Sequence, residues 1–283
     1  MPKTISYIRE LEKKSNEGRV SYVKRTLSEL EVDFVTQPFR HKLLKGENVI
    51  VTEYCGSSNK EILLTAHVNK YFSSPGANDN ASGVSVLLKI AENLKKNNLN
   101  KRAGIKIIFF DLEDGLAILD GSSYFVENSD LLKTSFVFNL DGVGMGECVT
   151  ISPKIKESSP DQYVNIVLKQ IHKLGLRYLS FNLPPLLVED HIPFVKRGKT
   201  AISFNLIPKE DLAYLMDIDK KSWLEKLYNI LVYRGPYRKN HPMRVMRHRH
   251  NDLDTSEYIE EKSLKLAEKI TMKLVDYHLS LNN

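Results

Sequence analysis

The sequence predicts an α/β fold: three layers, with a mainly parallel (mixed) central sheet and helices on both faces. Three observations carry this. The runs "EILLTAH" (61–67), "GIKIIFF" (104–110) and "TSFVFNL" (134–140) are apolar almost throughout, have strand length and end against polar residues. Segments with helical spacing fall between them. Strands apolar on both faces belong to a sheet covered on both sides, and their alternation with helices makes it parallel.

In order along the chain, Tyr7, Ile8 and Leu11, then Tyr22, Val23, Leu27 and Leu30, recur at helical spacing among charged residues, so amphipathic helices are expected up to about Val35. "NVIVTEY" (48–54) is a strand, and "CGSSNK" is a turn before the next one. After "PGANDNASG" (75–83), Val84, Leu87, Leu88, Ala91 and Leu94 mark one face of a helix. Further helices are expected near 117–128 and 159–174, and "TAISFNL" (200–206) is another strand. A last helix starts near Ser256 and runs through Leu266, Ala267, Ile270 and Leu274.

With 283 residues, 42% of them apolar, and neither linker nor repeat, the chain reads as one domain. The N-terminus carries charges throughout and has no apolar core of a secretory signal. No stretch approaches the roughly 18 apolar residues of a membrane span. Two cysteines, Cys55 and Cys148, make a weak case for a disulfide framework in so long a chain. A cytoplasmic protein without a membrane partner is expected. The net charge of +6 is concentrated in "RGPYRKNHPMRVMRHRH" (234–250), and no nucleic-acid-binding motif accompanies it, so a nucleic-acid partner is not expected.

Polar residues sit at the ends of the strands. His67 closes one, Glu113 and Asp114 follow the next, and Asp141 follows the third. The carboxyl ends of parallel strands line one edge, where ligands bind. The loop carrying Asp79 leaves the same edge, so these side chains converge. Asp79 could merely cap the following helix, but Asn80 and Ser82 can do that equally well. So many carboxylates close together raise one another's pKa and call for a cation. Mixed nitrogen and oxygen ligands suit Zn²⁺ best, with Mn²⁺ or Co²⁺ as alternatives. A second histidine is supplied by "RHRHNDLDT" (247–255), where the spacing to Asp254 favours His250 over His248.

Five segments in order then resemble the co-catalytic dizinc aminopeptidases, whose relatives include glutamate carboxypeptidase and glutaminyl cyclase. They are "TAHVNKYFSSPGANDNASG", "IKIIFFDLEDGLAILDGSS", "FVFNLDGVG", "EDHIPFVKRGKTAISF" and "HNDLDT". The resemblance covers about residues 45 to 280 and implies a zinc-exopeptidase-like fold acting on a peptide substrate. It implies two zinc ions per chain bridged by Asp79, one completed by His67 and Asp141, the other by Asp114 and His250. Glu113 would be the general base.

The chain departs from that pattern in several places. Asn69 stands where the family has an aspartate that orients the first histidine, and its amide oxygen is expected to accept the His67 N–H. Loss of that charge would weaken metal retention by about 10- to 100-fold. Asp114 replaces the usual glutamate. Arg249 stands where some aminopeptidases have a tyrosine, and a cationic donor there would face the oxyanion. Asp190 and His191 either shape the substrate pocket or make a structural hydrogen bond. His241 reads as a loop residue. The interval of about 207–247 is longer than the resemblance predicts, an inserted helix around 210–233 with Trp223, Leu224, Leu227 and Ile230 at its core, and is expected to act as a lid. The motifs do not fix an oligomeric state. A glutaminyl-cyclase-like single-zinc enzyme and a catalytically idle peptide- or partner-binding member remain the competing expectations.

Overall fold

The computed structural model describes residues 3–41, 44–55, 59–97, 103–113, 120–155, 160–182, 189–222, 225, 228 and 235–282. Its helices are α1 (Thr4–Leu11), α2 (Asn16–Glu29), α3 (Ser82–Lys96), α4 (Asp120–Asn128), α5 (Gln162–Lys173), α6 (Ile192–Lys196), α7 (Lys209–Asp219), α8 (Arg244–His248) and α9 (Glu261–Asn282). Its strands are β1 (Phe34–His41), β2 (Leu44–Val51), β3 (Glu61–His67), β4 (Ile105–Phe110), β5 (Thr134–Leu140), β6 (Cys148–Ser152), β7 (Tyr178–Ser180) and β8 (Ala201–Ile207). They form one eight-stranded sheet in the order β1-β2-β4-β3-β5-β8-β6-β7. The middle, β4-β3-β5-β8, is parallel, whereas β1, β2 and β6 pair antiparallel with a neighbour.

Alternation along each strand divides the core between two faces. Ile62, Leu64 and Ala66 of β3 join Val84, Leu87 and Leu88 of α3, Val23 of α2, Val167 of α5 and Ile270 of α9 in one apolar layer. Leu63, between them in sequence, joins Phe110, Phe125 of α4 and Phe194 of α6 on the opposite face. The three-layer α/β architecture expected from the sequence is therefore the one found. Helix starts follow local chemistry: the Asp161 carboxylate accepts the N–H groups of Tyr163 and Val164 at 2.8 and 3.2 Å to open α5.

Of the outer strands, β2 was expected from "NVIVTEY", whereas β1, β6 and β7 were not legible in the sequence. The segment from Phe34 is a strand, not the end of a helix, and it contains Pro38. A proline, which has no N–H to donate, is tolerated in an edge strand such as β1. β7 is three residues long and half-buried. The last helix begins at Glu261, and only a 3₁₀ turn at Ser256–Tyr258 occupies the expected start. Of the expected inserted helix, α7 accounts for Lys209–Asp219, while Trp223, Leu224, Leu227 and Ile230 lie outside the described residues. No helix among the described residues is long and apolar enough to cross a membrane.

Two predictions follow from backbone geometry and burial. Gly146 has φ +86°, and a Cβ there would lie 2.1 Å from the Ile207 carbonyl carbon, whereas Gly175 has φ +65° with nothing within 4 Å. Gly146→Ala is expected to destabilise by about 2–5 kcal/mol, left-handed strain plus overpacking, and Gly175→Ala by about 1–2 kcal/mol. Urea denaturation of the two variants checks the difference, and equal losses would contradict it. His241 accepts the Met243 N–H on Nδ1 at 3.0 Å, which requires a neutral ring. Burial and the Arg238 charge push its pKa from 6.5 down to about 4. The ring's contribution to stability is therefore full above pH 6.5 and is lost as pH falls towards 4. It is on the order of 1–3 kcal/mol after solvent screening, so His241→Gln should flatten that part of a pH–stability profile.

Candidate metal centre

The topology decides which strand ends meet. From β3 the chain crosses to β4 on one side, then returns to β5 on the other. β3 is thus the strand at which the winding reverses, and a crevice opens beyond its carboxyl end. His67 is the last residue of β3, and Asp141 directly follows β5. Glu113 lies just past β4, after Leu112, whose left-handed φ of 58° turns the chain. All three side chains are buried.

The Asn-rich loop supplies the fourth group. Asp79 and Asn80 leave helical angles inside the turn Ala77–Ala81. Asn80 Oδ1 accepts the Gly83 N–H at 3.1 Å and so caps α3, while its Nδ2 donates to the Leu140 carbonyl at 2.8 Å and ties the loop to β5. Asn78 Oδ1 accepts the Gly144 N–H at 2.8 Å. Asp254 accepts the N–H groups of Asn78 and Asp79 on its two carboxylate oxygens, at 2.6 and 3.1 Å. Asp254 thus orients the loop and also reaches the wall of the adjoining cavity. With capping left to Asn80, the Asp79 carboxylate is available to the centre.

His67 Nε2 lies 3.2 Å from Asp79 Oδ1, 3.6 Å from Asp141 Oδ1 and 3.7 Å from Glu113 Oε2. One donor atom from each of His67, Asp79 and Asp141 falls within 4.8 Å of the others. His67 Nδ1 lies 3.1 Å from the main-chain carbonyl of Asn69, to which it can only donate, so Nε2 is the nitrogen that faces the carboxylates. The expected role of the Asn69 side chain is corrected here: its Oδ1 accepts the Glu113 N–H at 2.9 Å, and the main chain orients the imidazole. His67 Nε2, both Asp79 oxygens and Asp141 Oδ2 are buried without an aligned hydrogen-bond partner. Burial lowers the His67 pKa, but Glu113, Asp141 and Asp79 outweigh it and hold it well above its ordinary value. Burial raises Asp141. The cluster is short of positive charge, and its nitrogen and oxygen donors fit Zn²⁺.

On the other side of Asp79, His250 Nε2 is 3.0 Å and Arg249 Nε 2.7 Å from Oδ2. Burial raises the Asp79 pKa, but Arg249, His250 and His67 hold it well below the usual carboxylate range. His248 packs edge-on against Tyr258 instead, at 4.3 Å, so His250 is the histidine of this site. Tyr71 stacks flat on the His250 ring, with centroids 4.7 Å apart. Asp114 lies outside the described residues. Asp190 and His191 are buried; burial pushes Asp190 up to about 6, with His67 and Ser122 opposing. Neither lines the adjoining cavity, whereas Glu189 does.

Sequence reasoning missed Arg19, Tyr71 and Glu189. Arg19 is fully buried and donates to the carbonyls of Leu11, Val68, Pro75 and Gly76, holding the loop from beneath. The aromatic pair Tyr71–Phe72, shortly after His67 in sequence, was the available signal for Tyr71. The cavity, of about 200 Å³, has Asp79, Asp141 and Arg249 in its wall beside Leu179, Phe181, Tyr214, Leu215, Ile218 and Met243. The described part of the 207–247 segment therefore walls the cavity.

The model of peptidase family M28 matches residues 48–275. The aminopeptidase YwaD of Bacillus subtilis is 32% identical over 157 residues, which is 50% of this chain and 31% of that protein, so the chain spans about a third of this relative's length. Among solved structures, the glutaminyl cyclase of Porphyromonas gingivalis superposes with a TM-score of 0.71 at 20% identity over 97% of each chain. A Zn-dependent exopeptidase from Parabacteroides distasonis gives 0.68 at 17% identity over 96% of each. The zinc aminopeptidase of Bacillus subtilis gives 0.56 at 22% identity, over 83% of this chain and 50% of that one. With a family match across most of its length, the chain belongs to peptidase family M28.

Proposed function

We propose that the chain is a zinc-dependent aminopeptidase that removes the N-terminal residue of short peptides. The observation that carries this reading is the buried set of His67, Asp79 and Asp141, with Glu113 beside it, opening on an apolar cavity. Those three residues would hold one divalent ion and leave positions for water and substrate, as catalytic zinc sites do. The second ion expected from the resemblance would draw on Asp79, His250 and Asp114.

Bound metal lowers the pKa of a coordinated water and polarises the scissile carbonyl. The protein's own groups do the rest. Glu113 Oε2, 3.7 Å from His67 Nε2, takes the water proton and returns it to the leaving amine. Asn69 fixes the backbone of Glu113. Glu189, buried in the cavity wall with Oε2 3.4 Å from His191 Nδ1, is positioned to receive the substrate's free α-ammonium. The apolar side chains beside it receive the first side chain and exclude water. A glutaminyl-cyclase-like reaction is the second reading, supported by the superposition over 97% of each chain.

Three outcomes are expected. Leucyl-p-nitroanilide should be cleaved by the zinc-loaded protein, and cleavage should stop on chelation with 1,10-phenanthroline and return with zinc. Glu113→Gln should lower kcat by about 10²–10⁴-fold with metal content unchanged; undiminished turnover would remove Glu113 from the chemistry. Leucyl, methionyl and phenylalanyl substrates should exceed alanyl by at least about 10-fold in kcat/KM, given about 0.8 kcal/mol per buried methylene. Cyclisation of N-terminal glutamine with release of ammonia, in place of that preference, would favour the second reading.

A further inference from the structure

We propose that Arg249 serves as the second cation of this centre: its guanidinium engages Asp79 and His250 in place of a second metal, so that the chain holds a single divalent ion between His67, Asp79 and Asp141. The inference rests on the reading of the site as a zinc centre and concerns how many ions it takes.

The two atoms that a second ion would need are already committed. His250 Nε2 accepts the Nε–H of Arg249 at 3.2 Å. The single Nε–H of Arg249 lies against both this nitrogen and Asp79 Oδ2, which are themselves 3.0 Å apart, so the guanidinium stands where an ion bound to both would have to sit. Asp79 Oδ2 carries the charge of the same guanidinium at 2.7 Å. Zinc would bind both atoms at about 2.0–2.2 Å, which requires the guanidinium to leave them. Arginine does not deprotonate, so its repulsion of an incoming dication is permanent.

The backbone is built to hold this arrangement. Consecutive side chains on an extended chain point to opposite sides. Here Arg249 is extended, with φ −54° and ψ 134°, and His250 is left-handed, with φ 62°, a turn that lets both neighbours reach Asp79. The Arg249 carbonyl is held in turn by Arg238 Nη1 at 3.4 Å and Asn251 Nδ2 at 3.3 Å. Arg249 is also only 25% exposed, so the ion pair is sheltered from water. On the other side of Asp79, His67 Nε2 faces three carboxylates and, among the described residues, no guanidinium. The two halves of the centre are therefore chemically unequal.

Zinc content per folded chain, measured by plasma mass spectrometry after equilibration with excess zinc and desalting, tests this directly without an activity assay. The wild type should hold one ion, Arg249→Ala two, and Arg249→Lys, which keeps the positive charge, one. Asp141→Ala should hold none, which locates the single ion at His67. Circular dichroism melting establishes that each variant is folded, and Arg249→Gln substitutes for Arg249→Ala if that variant is not. Two ions in the wild type, one ion in both Arg249→Ala and Arg249→Gln, or one ion retained in Asp141→Ala would overturn the proposal. No zinc in the wild type would instead remove the zinc-centre reading on which it rests.

Discussion

The turn from Pro75 to Ala81 has its backbone held on both sides by buried ionisable side chains, and the direction of Asp79 depends on it. From one side the Arg19 guanidinium takes the carbonyls of Pro75 and Gly76. From the other the Asp254 carboxylate takes the N–H groups of Asn78 and Asp79. Hydrogen bonds to charged groups contribute about 1.5–3 kcal/mol each, and a buried ion stripped of such partners is strongly destabilising. Neither charged group can therefore be buried without the loop, and the loop cannot keep this path without them. Helix α2, which carries Arg19, and the segment leading to α9, which carries Asp254, are in this way coupled to the centre despite their distance along the chain.

The same burial sorts the acids into different tasks. Burial, reinforced by the negative charge of Asp79, pushes Asp254 up to about 7, and burial pushes Asp190 up to about 6. Asp79 moves the other way because Arg249 and two histidines surround it. Three aspartates thus separate: Asp254 and Asp190 are pushed towards the neutral form, and Asp79 is held charged. Environment produces that separation, and pairs of groups pushed apart in pKa mark the places where chemistry is organised.

Much of this was legible because strand ends have a simple signature. An apolar run of strand length followed at once by a histidine or acid puts that residue at the sheet's carboxyl edge, and His67, Glu113 and Asp141 all obeyed it. The choice of His250 over His248 also followed from spacing. Other features depend on geometry that no local pattern encodes. Whether the carbonyl or the amide of Asn69 meets His67 depends on backbone angles, and both groups belong to one residue. Arg19 reads as one more charge in "NEGRVSYVKR", since a buried cation is recognisable only from carbonyls supplied by distant segments. β1 was hidden by Pro38, which argues against a central strand but not against an edge strand.

Asp79 shows why residue identity underdetermines a centre of this kind. Its Oδ1 faces His67 and its Oδ2 faces His250 and Arg249. A motif records that an aspartate is present between two histidines, yet the two oxygens meet different partners. On the His250 side the ring is also held from behind: Tyr71 lies parallel to it, 4° between planes, so rotation of the imidazole would cost the stacked contact. The left-handed backbone at His250 stores about 1–3 kcal/mol of strain, which persists only where surrounding contacts impose it. Stack, strain and ion pair all restrict the same few atoms. The half of the centre with His250 is consequently the more rigidly prearranged, and it is so through groups, Tyr71 and Arg249, that no ligand motif contains.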